Sequence, residues 1–357
     1  MQGYQELAQD LKEKWEALTE REGNLRLRDI AARLGVGESQ LIAVQVGGGQ
    51  VIRLEPRFKE LFEAFEASGE EFMVSTRNEY AVIEKHGVYR DVEIGEHIGL
   101  VLDKEIDLRL FMTHFDSVFF VSKMHRGKVL NSVQFFDKQG NSLHKVYAKK
   151  ESAQLALDGI VEQFKSDNQS PWQEREQAVA KDPETDDSEI DVSGFQQAWR
   201  DLQDTHHFFG LLRKFGVSRT QALRLAPESY AIKIEKDALV KTLLEESVER
   251  GVPIMVFVGS KGCIEIHTGE VKKVVEMGKW INVLDQRFNL HLDTSGVESS
   301  WLVRKPTEDG VVTSLELFDA NGEVIAMFFG ERKPGVLELE SWRSLVEDVC
   351  GCVPLYQ

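Results

Sequence analysis

Ser117-Val118-Phe119-Phe120-Val121-Ser122-Lys123 and Ser299-Ser300-Trp301-Leu302-Val303-Arg304-Lys305 are two versions of one stretch, set 182 residues apart. At the same spacing Gly87, Asp103, Leu108, Leu110, Ser132, Phe136, Asp137 and Gly140 meet Gly269, Asp285, Leu290, Leu292, Ser314, Phe318, Asp319 and Gly322. Val82 also meets Ile264. One constant shift held over this length marks a duplicated domain, because solenoid units repeat at only about 20–50 residues. At the nearby shift of 181, Gly35-Val36 meet Gly216-Val217. Function is expected where the copies differ. The clearest difference is Asp204-Thr205-His206-His207-Phe208-Phe209, in which His206 faces Leu25 of the first copy.

Each half reads as helices followed by strands. Tyr4 to Leu18 and Leu27 to Val46 have helical spacing, and Pro56 to Ser68 places Leu61, Phe62 and Phe65 on one side. Pro56 suits a first helical turn, where its missing N–H costs nothing. Short runs rich in β-branched and aromatic residues follow, among them 72–76, 108–111, 117–121 and 132–136. Asp137-Lys138-Gln139-Gly140 and Asp319-Ala320-Asn321-Gly322 are equivalent hairpin turns. A closing helix over Glu151 to Phe164 returns at about Leu339 to Val349. Between the halves, the polar and acidic stretch Ser166 to Asp191 predicts a solvated connector that buries little. The expected class is α+β: a tandem duplication of a domain with a large antiparallel β-sheet and helices packed to one side. The expected domains are 1–165, an acidic linker 166–191, and 192–357 with the distinctive histidine.

The 357 residues carry 43 basic and 60 acidic side chains, a net charge of −17. Such a field repels nucleic acid unless a basic stripe overcomes it. Leu27 to Leu41 has the outline of a helix-turn-helix, yet its second helix, Glu38 to Val46, holds no Lys or Arg for phosphates or guanine edges. A hairpin used for packing is the better reading, and no nucleic-acid partner is expected. No apolar run approaches the 18 or so residues that cross a bilayer, and the first residues lack a basic signal start. A cytoplasmic protein, not embedded in a membrane, is expected. Cys263 stands alone and Cys350-Gly351-Cys352 offers too few thiolates for structural zinc, so reduced thiols are expected.

From Gly194 onward an apolar stripe runs through Phe195, Trp199, Leu202, His206, Phe209 and Leu212. A single helix with that stripe turns His206 inward and puts His207, about 100° away, nearer the rim. Phe215-Gly216-Val217 ends the helix, Ser218 caps the next, and Arg219 opens it. An inward imidazole has two readings: a core histidine bonded to a backbone carbonyl, or a ligand to the iron of a flat, apolar cofactor. Haem needs one neutral imidazole, apolar walls and cations for its two propionates. A non-haem metal site lacks an H-x-x-x-H or H-E-x-x-H companion. Arg109 sits in Asp107-Leu108-Arg109-Leu110-Phe111, where alternation places it opposite Leu108 and Leu110. It is either a solvent-facing or ion-paired arginine or part of a site. Lys305 and Arg332 read singly as surface cations; with Arg219 they could neutralise propionates.

Several ordered stretches carry a resemblance that covers nearly the whole chain. They are Arg77-Asn78-Glu79-Tyr80-Ala81-Val82, Asp107 to Phe111, Gln134-Phe135-Phe136-Asp137, Asp204 to Phe209, Ile254 to Gly259, Arg304-Lys305-Pro306-Thr307 and Thr313 to Phe318. The chain resembles the HemS/ChuS/PhuS-type cytoplasmic haem-utilisation proteins of Gram-negative bacteria, the hemin-degrading factors. The resemblance implies a duplicated domain that binds haem b as cargo or substrate. It implies His206 as the axial iron ligand, Arg109 as the distal residue (catalytic if the porphyrin is cleaved), and Arg219, Lys305 and Arg332 near the propionates. Phe329 stands where relatives often place a tyrosine before the G-x-R segment. Some relatives also carry a histidine near Asn78 to Val82, where this chain has Ile83, with His86 expected in a turn.

The function implied is haem uptake and utilisation: accepting haem and delivering it for iron release. The alternative is an oxygenase-type enzyme that cleaves the bound porphyrin with O₂. Because no flavin or nicotinamide fingerprint is present, such an enzyme would need an external reductant. Expected partners are haem and, for handover, a haem oxygenase or an inner-membrane haem importer; a homodimer is compatible with the sequence.

Overall fold

The computed structural model describes residues 2–23, 25–125, 127–178, 181, 183–333 and 335–352. The first half supplies β1 (Val51–Arg53), β2 (Glu71–Arg77), β3 (Ala81–Val88), β4 (Val92–Ile94), β5 (Ile98–Leu102), β6 (Asp107–Phe111), β7 (Phe115–His125), β8 (Lys128–Asp137) and β9 (Ser142–Ala148). The second supplies β10 (Ala231–Lys233), β11 (Ile254–Gly259), β12 (Cys263–Gly269), β13 (Val274–Met277), β14 (Trp280–Leu284), β15 (Phe288–Asp293), β16 (Ser299–Thr307), β17 (Gly310–Phe318) and β18 (Val324–Gly330). Helices α1 (Gln2–Glu22), α2 (Leu27–Leu34), α3 (Glu38–Ala43), α4 (Phe58–Ser68) and α5 (Glu151–Phe164) belong to the first half. They are answered by α6 (Val192–Arg200), α7 (His207–Phe215), α8 (Arg219–Arg224), α9 (Leu239–Glu249) and α10 (Glu340–Cys350).

The chain folds as two compact units that do not follow the halves without a break. One comprises Met1–Arg77, Glu84–Val179 and Gly259–Glu265; the other comprises Asn78–Ile83, Ala180–Val258 and Ile266–Gln357. In the first unit the strand order is β1-β7-β8-β9-β2, with β4-β5-β6 as a separate ladder. The second repeats it as β10-β16-β17-β18-β11 with β13-β14-β15. These ladders are antiparallel, and their registers repeat too. Gln134 pairs with Lys145 and Ser132 with Tyr147, as Glu316 pairs with Met327 and Ser314 with Phe329. The fold is α+β and duplicated, as the repeat predicts.

The hairpin turns show why the repeat keeps its Asp and Gly. Asp137 Oδ1 accepts from the Asn141 N–H at 2.7 Å, and Asp319 Oδ1 from the Glu323 N–H at 2.8 Å. Gly140 and Gly322 sit at φ +83° and +73°, a region costly for residues with a Cβ.

In the second unit the sheet has two unlike faces. Leu302, Leu315, Leu317, Phe328, Ile254 and Val256 point toward Leu243, Leu244, Trp342 and Leu345 of α9 and α10. The other face is covered in part by α6, α7 and α8, where Phe195, Trp199, Phe208, Leu212 and Ala222 pack on Val303 and Phe318. The Trp199 indole N–H also donates to the Arg304 carbonyl at 3.0 Å. Farther along that face Met255, Phe257, Met327 and Phe329 stay only half-buried.

The hairpin expected over Leu27 to Leu41 is present: α2 ends at Gly35, a left-handed cap at φ +66°, and α3 starts at Glu38. One expectation is revised. His86 lies within β3, not in a turn. The connector is exposed over 174–178 and 183–189, as its composition suggests, yet it is tied down at two places. Its first part wraps the buried Arg53, whose Nη2 donates to the Ser170 and Trp172 carbonyls at 3.1 and 2.9 Å. Its second part belongs to the other unit, where the Gln221 amide donates to the Thr185 carbonyl and to Asp187, both at 2.7 Å.

Candidate functional site

The apolar stripe from Phe195 does not continue as one helix. Asp191 caps α6 by accepting from the Gly194 N–H at 2.9 Å, and α6 ends at Arg200. Asp204 then competes with helical bonding: its Oδ1 accepts from the His206 N–H at 2.8 Å and pairs with His206 Nδ1 at 2.6 Å. Short polar side chains that bond nearby backbone in this way interrupt helices. α7 therefore restarts at His207 with a new phase. Phe208, 2% exposed, enters the core, while Phe209 is 63% exposed.

The expectation that His206 points inward is thus corrected. Its side chain is 85% exposed, and its partner is a carboxylate in place of a core carbonyl. His207 is exposed as well. The Asp204 carboxylate is held below its ordinary range, first by the hydrogen bond from the His206 backbone N–H. An imidazole whose Nδ1 is engaged by a carboxylate has its tautomer and orientation set, and Nε2 is left with a lone pair for a metal.

The same unit holds an ion triad centred on the buried Glu316. Ser218 caps α8 by accepting from the Gln221 N–H at 3.0 Å, which presents Arg219 as the first helical residue. Arg219 donates through Nε and Nη2 to Glu316 Oε2 at 2.9 and 2.8 Å. Lys305 Nζ donates to Glu316 Oε1 at 2.7 Å, and the Ser314 hydroxyl adds a bond at 3.0 Å. Both cations lie over the Phe208 ring, Lys305 at 4.7 Å and Arg219 at 5.5 Å from its centroid. Burial alone would raise the Glu316 carboxyl, but Arg219 and Lys305 outweigh it and bring the group down to about 2. Burial pushes the Lys305 amine down, against the pull of Glu316.

Lys305 is therefore not the surface cation of the simplest reading. It is 4% exposed and committed to Glu316. Arg219, with a quarter of its side chain exposed, is the member of the triad that reaches solvent. Two cations on one carboxylate leave a single net positive charge.

Phe329 packs edge-on against Phe257 with centroids 5.0 Å apart, and Arg332 is half-buried in the segment after β18. Arg109 belongs to the other unit. Leu108 and Leu110 of β6 are fully buried while Arg109 lies on the opposite face, about a third of its side chain exposed. It ion-pairs with Asp107 and donates to the Leu108 carbonyl at 3.2 Å. Burial raises the Asp107 carboxyl, opposed by Arg109.

Two residues of this arrangement escape a reading of motifs one at a time. Glu316 is a charge inside an apolar strand, and comparison with Gln134 at its repeat position was the available signal. Asp204, two residues before the histidine, is the other. Among the described residues no cluster of three or more His, Cys, Asp or Glu side chains suits a bare metal ion, and no helix is long and apolar enough to cross a membrane.

Comparison with known proteins agrees with the duplicated fold. The model of the haemin-degrading HemS.ChuX domain matches residues 35–164 and again 216–349. The chain is 37% identical over 322 residues to the hemin transport protein HmuS of Yersinia pestis, covering 89% of this chain and 91% of that one. It is 38% identical over 317 residues to the hemin transport protein HemS of Yersinia enterocolitica, covering 88% and 90%. Among solved structures, holo-PhuS, a heme-binding protein from Pseudomonas aeruginosa, superposes with a TM-score of 0.90 at 41% identity over 95% of this chain and 98% of that one. ChuS, described as an E. coli heme oxygenase, gives a TM-score of 0.84 at 33% identity over 95% and 99%. With two successive copies of the matching domain and relatives aligned over nearly their full length, this chain belongs to the haemin-degrading HemS.ChuX domain family.

Proposed function

We propose that this chain binds haem through His206 and serves haem uptake and utilisation, accepting haem and delivering it for iron release. The observation that carries the reading is the exposed imidazole whose Nδ1 is held by Asp204 and whose Nε2 is left for iron. The setting has the chemistry haem needs. Phe209, Phe257, Met327 and Phe329 offer apolar surface, and Arg219 brings the positive edge of the triad toward solvent. In this proposal Arg332 joins Arg219 at the propionates, and Lys305 sets the charge behind them. Arg109 keeps the distal role that family resemblance gives it, and Arg109→Ala should alter the sixth-ligand signature of the hemin spectrum. Cytoplasmic work and handover to a haem oxygenase or an inner-membrane haem importer belong to the same proposal. Relatives titled hemin transport protein support it.

A second reading, oxygenase-type cleavage of the bound porphyrin, is favoured by one relative titled a heme oxygenase. One assay separates the two. The protein is loaded with hemin, given ascorbate or a reductase in air, and followed by the Soret band and product analysis. Carriage predicts that catalase abolishes any loss of the band. Loss to a linear tetrapyrrole that persists with catalase would establish the enzyme.

The role of Asp204 gives a separate prediction. Asp204→Asn keeps the side chain's size but weakens its hold on Nδ1. Carboxylate partners of metal-bound histidines are worth about 10–100-fold in affinity, so hemin titration should show a loss in that range. Wild-type affinity in the variant would mean that the Asp204–His206 pair has no part in ligation.

A further inference from the structure

The duplicated framework holds a second set of side chains where the ion triad stands, and its chemistry is different. On β9, Lys145 and Tyr147 occupy the places that Met327 and Phe329 hold on β18. On β8, Gln134 replaces Glu316, and on β2, Ser75 replaces Phe257. Glu38, the first residue of α3, replaces Arg219. The register sets Phe119, Gln134, Lys145 and Ser75 side by side across four strands, with Val121, Ser132, Tyr147 and Met73 in the next row of the same face. All of these residues belong to the first unit.

The polar groups here are only partly satisfied. Arg77 Nη2 grips Glu38 at 2.5 and 2.6 Å, so those two charges cancel. Lys145 makes no salt bridge among the described residues, and burial brings its amine down to about 8 despite the pull of Glu38. Arg77 and Lys123 add to that lowering, and Glu84 faces the neighbouring Tyr147. Gln134 is 7% exposed; its amide N–H donates to the Ser132 hydroxyl at 3.0 Å, and its Oε1 accepts nothing among the described residues. Turning that amide over lets the Ser132 hydroxyl donate to Oε1 and points the amide N–H where Oε1 now lies.

We propose that this face of the first copy, at Lys145, Gln134, Tyr147 and Arg77, is a second binding site that takes a small hydrophilic anion through a phosphate or carboxylate group. An oxyanion supplies the missing countercharge to Lys145 and accepts from the Gln134 amide and the Tyr147 phenol, while the Glu38–Arg77 pair stays intact. A porphyrin does not suit the place. The apolar wall of Phe257, Met327 and Phe329 has become Ser75, Lys145 and Tyr147, and the position of His206 is Leu25. An ammonium pressed against a flat apolar macrocycle loses its hydration without gaining a partner. One framework thus holds an apolar-walled site and a polar-walled one.

The test is isothermal titration of the full chain with inorganic phosphate and, separately, with citrate, at constant ionic strength held by sodium chloride. Saturable binding with a Kd on the order of millimolar or tighter is expected for at least one of them, and the tighter anion names the preferred group. Lys145→Met installs the residue that the second copy uses, and binding should weaken at least about tenfold. Gln134→Leu should weaken it in the same direction and carries the test if Lys145→Met melts without a cooperative transition. Absence of saturable binding by either anion, or wild-type binding in folded Lys145→Met and Gln134→Leu, overturns the proposal.

Discussion

Hemin binding to the His206→Ala variant is expected to weaken by about a hundredfold or more, equivalent to roughly 3 kcal/mol, with a shifted Soret band. The loss should come with almost no change in folding stability. The His206 side chain is 85% exposed and contacts Asp204, so truncation opens no cavity. Exposed substitutions of that kind usually stay within about 0.5 kcal/mol. A core histidine would behave in the opposite way, lowering the melting temperature and leaving hemin binding untouched. Titration of hemin and a thermal melt on the same preparation therefore distinguish the two roles. The neighbouring His207 is also exposed, so any binding that remains in His206→Ala should fall further in the double variant.

Glu316→Gln is expected to be the most destabilising single change at the site. It takes the only negative charge out of the triad and leaves Lys305, 4% exposed, beside Arg219 without its carboxylate partner. Removing one partner of a buried ion pair costs about 3–5 kcal/mol, because the remaining charge stays desolvated. Acid should reproduce the effect in the wild type. The Glu316 carboxyl is held near 2, below its ordinary 4.5, so its stabilisation is present above 4.5 and disappears as pH falls toward 2. Urea unfolding of both proteins at neutral and acidic pH should show a wide gap that closes over that window. A gap below about 1 kcal/mol at neutral pH would mean that the triad does not hold the sheet and α8 together.

Much of this layout can be read in the chain before any coordinates. The duplication is legible because hairpin register and turn chemistry are local: Asp137 and Asp319 bond the chain four residues on, so their spacing survives in the sequence. The alternation around Arg109 is legible for the same reason. What escaped the reading is decided by competition or by distance along the chain. A stripe at helical spacing ran straight through Leu202 and His206, yet Asp204 captured the backbone and reset the phase, which turned the histidine outward and Phe208 inward. Lys305 looked solvent-facing because nothing near it in sequence revealed Glu316 eleven residues later on the neighbouring strand. Arg53 inside the connector's wrap, and the segments Asn78–Ile83 and Gly259–Glu265 lodged in the opposite units, depend on contacts that no local pattern encodes.

A crystal structure of the hemin-loaded protein decides whether His206 is the iron ligand. Continuous density is expected from His206 Nε2 to the iron, with Nδ1 still paired to Asp204. Iron bound to another residue, with His206 Nε2 left in solvent, would contradict that assignment.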